Sequence, residues 1–180
     1  MLAKLKLMSF DGYGPEFPTP GVPTPVPTES ERIARMRAAG VNEEYWDWMG
    51  PHGTSAMSAK LGLKFVEMSP ERLVATVPVG GNEQNAGLFH GGGHFVLAET
   101  LGSIAAIFHV RANLGWDRQV VGTELSATHH RAATSGLVWG TCTPLNLGKQ
   151  LTVHEIVMRD DQHRRLSTAR MTNMILAPRD

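Results

Sequence analysis

The stretch GNEQNAGLFHGGGHFVLAETLGSIAAIFHV, residues 81–110, decides how the chain folds. It opens polar, passes through Gly91, Gly92 and Gly93, and becomes an apolar run that holds one acid, Glu99. From His94 to Val110 there is no proline, and Ala, Leu and Glu favour a helix. Phe95, Leu97, Leu101, Ile104, Ile107 and Phe108 point to nearly every side of that helix, which suits a core or a subunit interface. At about 17–19 residues it spans roughly 26–28 Å, so other elements must wrap it. Unpaired burial of Glu99 would cost several kcal/mol. The acid is therefore either salt-bridged to an arginine of another strand or subunit, or functional.

Outside this stretch the pattern changes. Residues 61–68 and 72–79 alternate with a period of two and read as a hairpin turning at Ser69-Pro70-Glu71. After the helix come four more strand-like runs, 118–131, 136–145, 150–160 and 165–176. Asp160-Asp161-Gln162-His163 and Asn146-Leu147-Gly148 read as turns between them. Hairpin, long helix and a four-stranded antiparallel meander make an α+β domain, one sheet curled around one helix. Upstream, residues 11–28 hold six prolines and three glycines and read as an extended arm. Thr28 or Ser30 caps a helix that stops at Gly40, and Asn42 caps a second short piece ending at Gly50. Tyr45, Trp46, Trp48 and Met49 either dock this extension on the body, the favoured reading, or form a lid over an apolar pocket. The division is thus a proline-rich arm over 1–28, a helical extension over 29–56 and the main domain over 57–180.

Composition narrows the classes of function. The 180 residues carry 17 Lys plus Arg and 17 Asp plus Glu, so no basic field recruits nucleic acid or anionic lipid. Cys142 stands alone, which excludes an internal disulfide and fits a reducing compartment. The first ten residues lack the apolar segment of a signal peptide, and the run 95–110 reads as too short for a membrane span. A cytoplasmic protein is expected.

Three glycines at a helix start leave backbone N–H groups open at the positive end of the dipole. That arrangement suits a phosphate or the oxyanion of a carbonyl under attack. Neither GxGxxG nor GxxxxGK[ST] is present, and the lipase motif HGGG lacks its G-x-S-x-G partner. Glu99 is the candidate base or nucleophile, and Ser103, four residues on, lies on its face and could hold a water. Gly91 and Glu99 are about 12 Å apart along one helix, too far to act on one carbonyl. Two antiparallel copies across a twofold axis would bring one chain's Gly91 to the other's Glu99, predicting a site at a homodimer interface. A metal held by His90 and His94 is the rival, weakened by the glycines between them and the absence of HExxH. His129 and His130 are adjacent on a strand, so at most one should serve any single site.

The segments QNAGLFHGG (84–92), VLAETLGSIA (96–105) and VVGTELSATHHR (120–131) together resemble the hotdog-fold acyl-CoA thioesterases. Within them they look most like the group of 1,4-dihydroxy-2-naphthoyl-CoA thioesterase and the Arthrobacter-type 4-hydroxybenzoyl-CoA thioesterase. The resemblance covers roughly residues 57–178. It implies hydrolysis of a CoA thioester, with an aromatic or medium acyl group, in a homodimer or homotetramer. No cofactor beyond the CoA of the substrate is implied. Glu99 matches the catalytic carboxylate, Gly91 the amide that polarises the thioester carbonyl, and Gln84 a side-chain amide holding thioester or water. His90 matches the histidine that positions the substrate, and Ser103 the hydroxyl one turn after the acid. His129, Arg131, Gly148 and Lys149 match positions near the CoA nucleotide and phosphates, where Arg and Lys chemistry fits. Two alternatives share the fold: a non-catalytic acyl-CoA-binding protein and an enoyl-thioester dehydratase.

Overall fold

A computed structural model describes residues 24–177, so most of the expected proline-rich arm lies outside the described residues. Helix α1 (Glu29–Ala38) begins at Thr28, whose hydroxyl accepts from the Glu31 N–H while the Glu31 carboxylate accepts from the Thr28 N–H. It stops at Gly40, which adopts φ +76° where a Cβ would lie 2.7 Å from the Phe65 carbonyl oxygen. A 3₁₀ turn (Glu43–Trp48) follows. Asn42 occupies its cap position, but contrary to expectation its side chain makes no cap bond. Tyr45 and Trp48 pack on Phe108 with ring centroids 4.5 and 5.1 Å away, so the extension is docked through its aromatic residues. A short helix α2 (Ala56–Lys60), capped by Ser55, was not foreseen, and the expected boundary at residue 57 falls inside it.

Strands β1 (Lys64–Met68) and β2 (Leu73–Pro78) form the expected hairpin. Helix α3 (Gly91–Asn113) then runs for 23 residues, roughly 35 Å, longer than expected because the three glycines form its first turn. Strands β3 (Gln119–His129), β4 (Leu137–Leu147), β5 (Leu151–Arg159) and β6 (Arg165–Leu176) complete the chain. The expected turn at Asn146-Leu147-Gly148 sits later, because β4 continues through a bulge between Pro144 and Asn146 as far as Leu147.

All strands pair antiparallel in the order β1-β2-β4-β5-β6-β3. The meander expected of the last four strands is therefore corrected: β4, β5 and β6 form one, but β3 pairs with β6 at the far edge. The physical reason is the helix. It crosses the sheet after β2 and delivers the chain to the opposite edge, and the segment after β3 returns so that β4 lies beside β2.

The concave side of the sheet closes on α3. Leu97, Leu101 and Phe108 are fully buried with Leu73, Val138, Ile156, Met158 and Met171. Two glycines make this approach possible. A Cβ at Gly102 would lie 2.6 Å from Met171 Cγ, and one at Gly140 2.8 Å from Leu101 Cδ1. Taken alone, α3 is long and apolar enough to cross a membrane, contrary to the reading from the run 95–110; here it is the core helix, packed by the sheet. One stripe stays uncovered, with Phe95 and Glu99 exposed and Val96, Thr100, Ser103 and Ile107 half-buried. That stripe carries the candidate chemistry.

Candidate active site

The loop before α3 is held by its own backbone. The Gln84 N–H donates to the Leu88 carbonyl at 2.7 Å, and the His90 N–H to the Asn82 carbonyl at 2.9 Å. Gln84 Oε1 accepts from the Ala86 N–H at 2.9 Å, which leaves the amide NH₂ as its free donor end. His90 is the N-cap of α3. Its Nδ1 accepts from the Gly92 N–H at 2.8 Å, so the neutral ring carries its proton on Nε2 and presents a donor outward. The Gly93 N–H is taken by the His90 carbonyl at 2.9 Å. Among the described residues the Gly91 N–H has no such partner, and it lies at the positive end of the helix.

His129, at the end of β3, packs its ring on Gly91, where a Cβ would lie 3.2 Å from His129 Nε2. Gln84, His90, Gly91, His129 and Arg131 border one cleft of about 510 Å³. His130 borders it too, because β3 ends at His129 and strand alternation no longer governs the next residue. Its Nε2 lies 3.1 Å from Thr168 Oγ1. His94, beneath His129 with ring centroids 5.0 Å apart, is buried. Burial, then the neighbouring His129, lowers its pKa to about 4, and its Nδ1 lies 3.0 Å from Ser167 Oγ. The Nδ1 atoms of His90 and His94 are engaged by the Gly92 N–H and Ser167 Oγ, and among the described residues no group of three or more His, Cys, Asp or Glu is placed to hold a metal.

Glu99 lies two turns along α3, about 12 Å from Gly91. Its Oε1 accepts from Ser103 Oγ at 3.3 Å, and among the described residues no cation pairs with it. The salt bridge considered from sequence is therefore not formed among the described residues. The carboxylate rests against Gly122 of β3, where a Cβ would stand 3.0 Å from Oε1. A β-bulge falls at that point, between Gly122 and Glu124. On one side Glu99 opens into a cleft of about 330 Å³ with Phe95, Val96 and Leu125. On the other it borders a second cavity, of about 270 Å³, beneath the extension.

Within one chain the sequence-derived residues thus fall into three groups. Gln84, His90, Gly91, His129 and Arg131 gather at the start of α3, and Glu99 with Ser103 further along it. Gly148 and Lys149 lie elsewhere: the Gly148 carbonyl accepts from His109 Nε2 at 3.0 Å, near the opposite end of α3 and roughly 27 Å from Gly91. A single chain therefore does not unite them with His129 and Arg131. Sequence reasoning passed over Gly122, although a lone glycine inside a strand pattern is the usual mark of a bulge or a close approach. It also passed over His94 as the support beneath His129, and no local signal distinguishes that histidine from its neighbours.

A curled antiparallel sheet around one helix is the hotdog fold, and an open helix-start amide with a carboxylate on the same helix is equipment for attack on an acyl carbonyl. The Thioesterase superfamily matches residues 86–167. Proofreading thioesterase EntH of Cronobacter sakazakii is 46% identical over 122 residues, which are 67% of this chain and 85% of that protein. The crystal structure of a thioesterase from Haemophilus influenzae superposes with a TM-score of 0.63 at 31% identity, over 68% of this chain and 84% of that one. A mutant thioesterase from Pseudomonas aeruginosa gives 0.64 at 27% identity, over 84% and 96%. The chain belongs to the thioesterase superfamily, and it is a thioester hydrolase. The Cronobacter relative carries the name of a proofreading enzyme, not of the narrower naphthoyl- and benzoyl-CoA group that the motifs resemble.

Proposed function

We propose that the protein hydrolyses an acyl-CoA thioester in a homodimer, with Glu99 of one copy and the Gly91 amide of the other acting on the same carbonyl. The observation that carries this reading is the spacing. Gly91 and Glu99 sit on one uncovered side of α3, each facing an open cleft, and about 12 Å separates them. An antiparallel second α3 closes that gap. The edge strand β3 supports the same arrangement: among the described residues no strand pairs with the outer edge of its 11 residues, beside the exposed Phe95 and the half-buried Leu125.

The thioester carbonyl oxygen accepts from the Gly91 N–H, a bond that strengthens as negative charge grows; one such donor is worth roughly 3–4 kcal/mol. The Gln84 NH₂ and the His90 Nε2–H are donors on the same side of the cleft, available to the thioester or to water. Glu99 takes a proton from water as the water attacks, or attacks the carbonyl itself to give an anhydride that water then opens; in either route the CoA thiolate leaves. Ser103 steadies the carboxylate or the water. His129 and Arg131 border the cleft in which Gly91 lies and are assigned to the CoA phosphates. Gly148 and Lys149 join them only if another copy brings its far end of α3 near. No metal or redox cofactor enters this scheme. The motif resemblance supports an aromatic or medium acyl group.

The test is thiol release from a panel of aryl- and alkyl-CoA esters by wild type and Glu99→Gln. The variant keeps the size and loses the base, and is expected to be about 10²–10⁴-fold slower while remaining folded and dimeric. Undiminished turnover by Glu99→Gln would reject the assignment.

A further inference from the structure

We propose that residues 49–58, the end of the N-terminal extension and the start of α2, form the wall that sets the size of the acyl group admitted to Glu99. This rests on the reading of Glu99 as the catalytic carboxylate. The cavity of about 270 Å³ beside Glu99 has α3 as its floor, through Thr100, Ser103, Ile104 and Ile107, and the extension as its roof. Met49 and Thr54 are buried there, 7% and 6% exposed, and Ser58 shares a hydrogen bond of 2.8 Å with Thr100. The aromatic contacts of Tyr45 and Trp48 with Phe108 fasten this roof to the helix that bears the acid. Glu99 stands between the cavity and the open cleft. A thioester seated at the cleft therefore has this roofed, partly open space beside it for its acyl group.

Size and chemistry define what fits. A cavity of about 150 Å³ accepts benzene. This one takes a single substituted ring or a short branched chain, and not a long fatty chain. Among the described residues Glu99 is the only charged group lining it, and the Ser58 hydroxyl donates to Thr100 Oγ1, which donates onward to the Val96 carbonyl at 2.7 Å. Among the described residues no cation lines it to meet a second carboxylate. The acyl group is neutral. Gly50 borders both this cavity and a neighbouring one of about 210 Å³, and a Cβ added there meets nothing within 4 Å. The backbone at 50 thus admits a Cβ, and on the border of the two cavities a larger residue is the substitution placed to shorten the space.

The experiment compares kcat/KM for acetyl-, hexanoyl-, benzoyl-, glutaryl- and palmitoyl-CoA in wild type, Met49→Ala and Gly50→Leu, with Glu99→Gln alongside. Wild type is expected to favour benzoyl- or hexanoyl-CoA over palmitoyl- and glutaryl-CoA by tenfold or more. Met49→Ala raises the relative rate on longer esters, and Gly50→Leu lowers the ratio of benzoyl to acetyl at least tenfold. Equal rates on palmitoyl- and benzoyl-CoA in the wild type overturn the inference without recourse to any variant. So does uniform scaling of every substrate in both folded variants. In either of those cases, inactive Glu99→Gln leaves the catalytic assignment standing, whereas full activity of Glu99→Gln removes that assignment itself.

Discussion

His154 offers a quantitative test of how the core is built. It lies on β5, 1% exposed, with its side chain turned toward α3, and neither ring nitrogen has a hydrogen-bond partner among the described residues. Burial, then the charge of neighbouring His109, lowers its pKa to about 4 from 6.5. His94 is lowered to about 4 as well, by burial and then by His129. In the folded state both rings stay neutral between pH 4 and 6.5, whereas the unfolded chain takes up a proton on each. Stability is therefore fully present above about 6.5 and is lost as pH falls toward about 4. From pH 7 to pH 5 each histidine removes about 2 kcal/mol, so the pair removes about 4 kcal/mol. Asp160 and Asp161, whose carboxyls are held below 3.8, add to acid sensitivity only at lower pH. Replacing His154 by leucine should halve the loss to about 2 kcal/mol. At pH 7 the replacement should be neutral or stabilising, since it removes unpaired polar atoms whose burial costs about 1–3 kcal/mol each. Urea unfolding at pH 7 and pH 5 measures both quantities. An unchanged pH dependence in His154→Leu would refute the reasoning, because the ring would then be charged, or solvated, in the fold.

Other outcomes follow from single contacts. Gly40→Ala forces an L side chain into the left-handed region at φ +76° and against the Phe65 carbonyl oxygen, 2.7 Å from the new Cβ. The backbone conformation alone costs about 1–2 kcal/mol, and urea unfolding should show at least that loss. Phe95→Arg puts a charge on the exposed stripe of α3, and sedimentation should find monomers with little thioesterase activity; a fully active dimer would argue against the proposed pairing. Cys142 is buried, and burial pushes its thiol up to about 12, so a thiol reagent should modify it only as fast as the protein unfolds.

The strands and the central helix were legible because their hydrophobic periods are long and clean. In β5 and β6 nearly every second residue is buried, and the apolar run of α3 is what a helix packed by the sheet requires. Strand order was not legible. The place of β3 depends on how far α3 carries the chain across the sheet, and no residue in VVGTELSATHH encodes that distance. The five-residue α2 escaped notice because it offers less than two turns of pattern. In the site, the cluster of Gln84, His90 and Gly91 was readable because it is local in sequence. Gly148 and Lys149 were grouped with His129 by resemblance alone, and along α3 the two pairs lie at opposite ends. The extension was readable from Tyr45, Trp46, Trp48 and Met49 as docked on the body or as a lid over an apolar pocket, but its place over Glu99 was not, since that depends on Tyr45 and Trp48 finding Phe108.

The position of β3 has a consequence for synthesis. Among the described residues its only strand partner is β6, the last of the described elements. A nascent chain that has already released α3 and β3 holds a helix with half its cover and a strand with no neighbour until β6 emerges. The sheet closes late, through contacts distant in sequence, which slows folding. In that interval, an exposed apolar helix beside an open strand is the surface that chaperones bind and on which unfinished chains stick together.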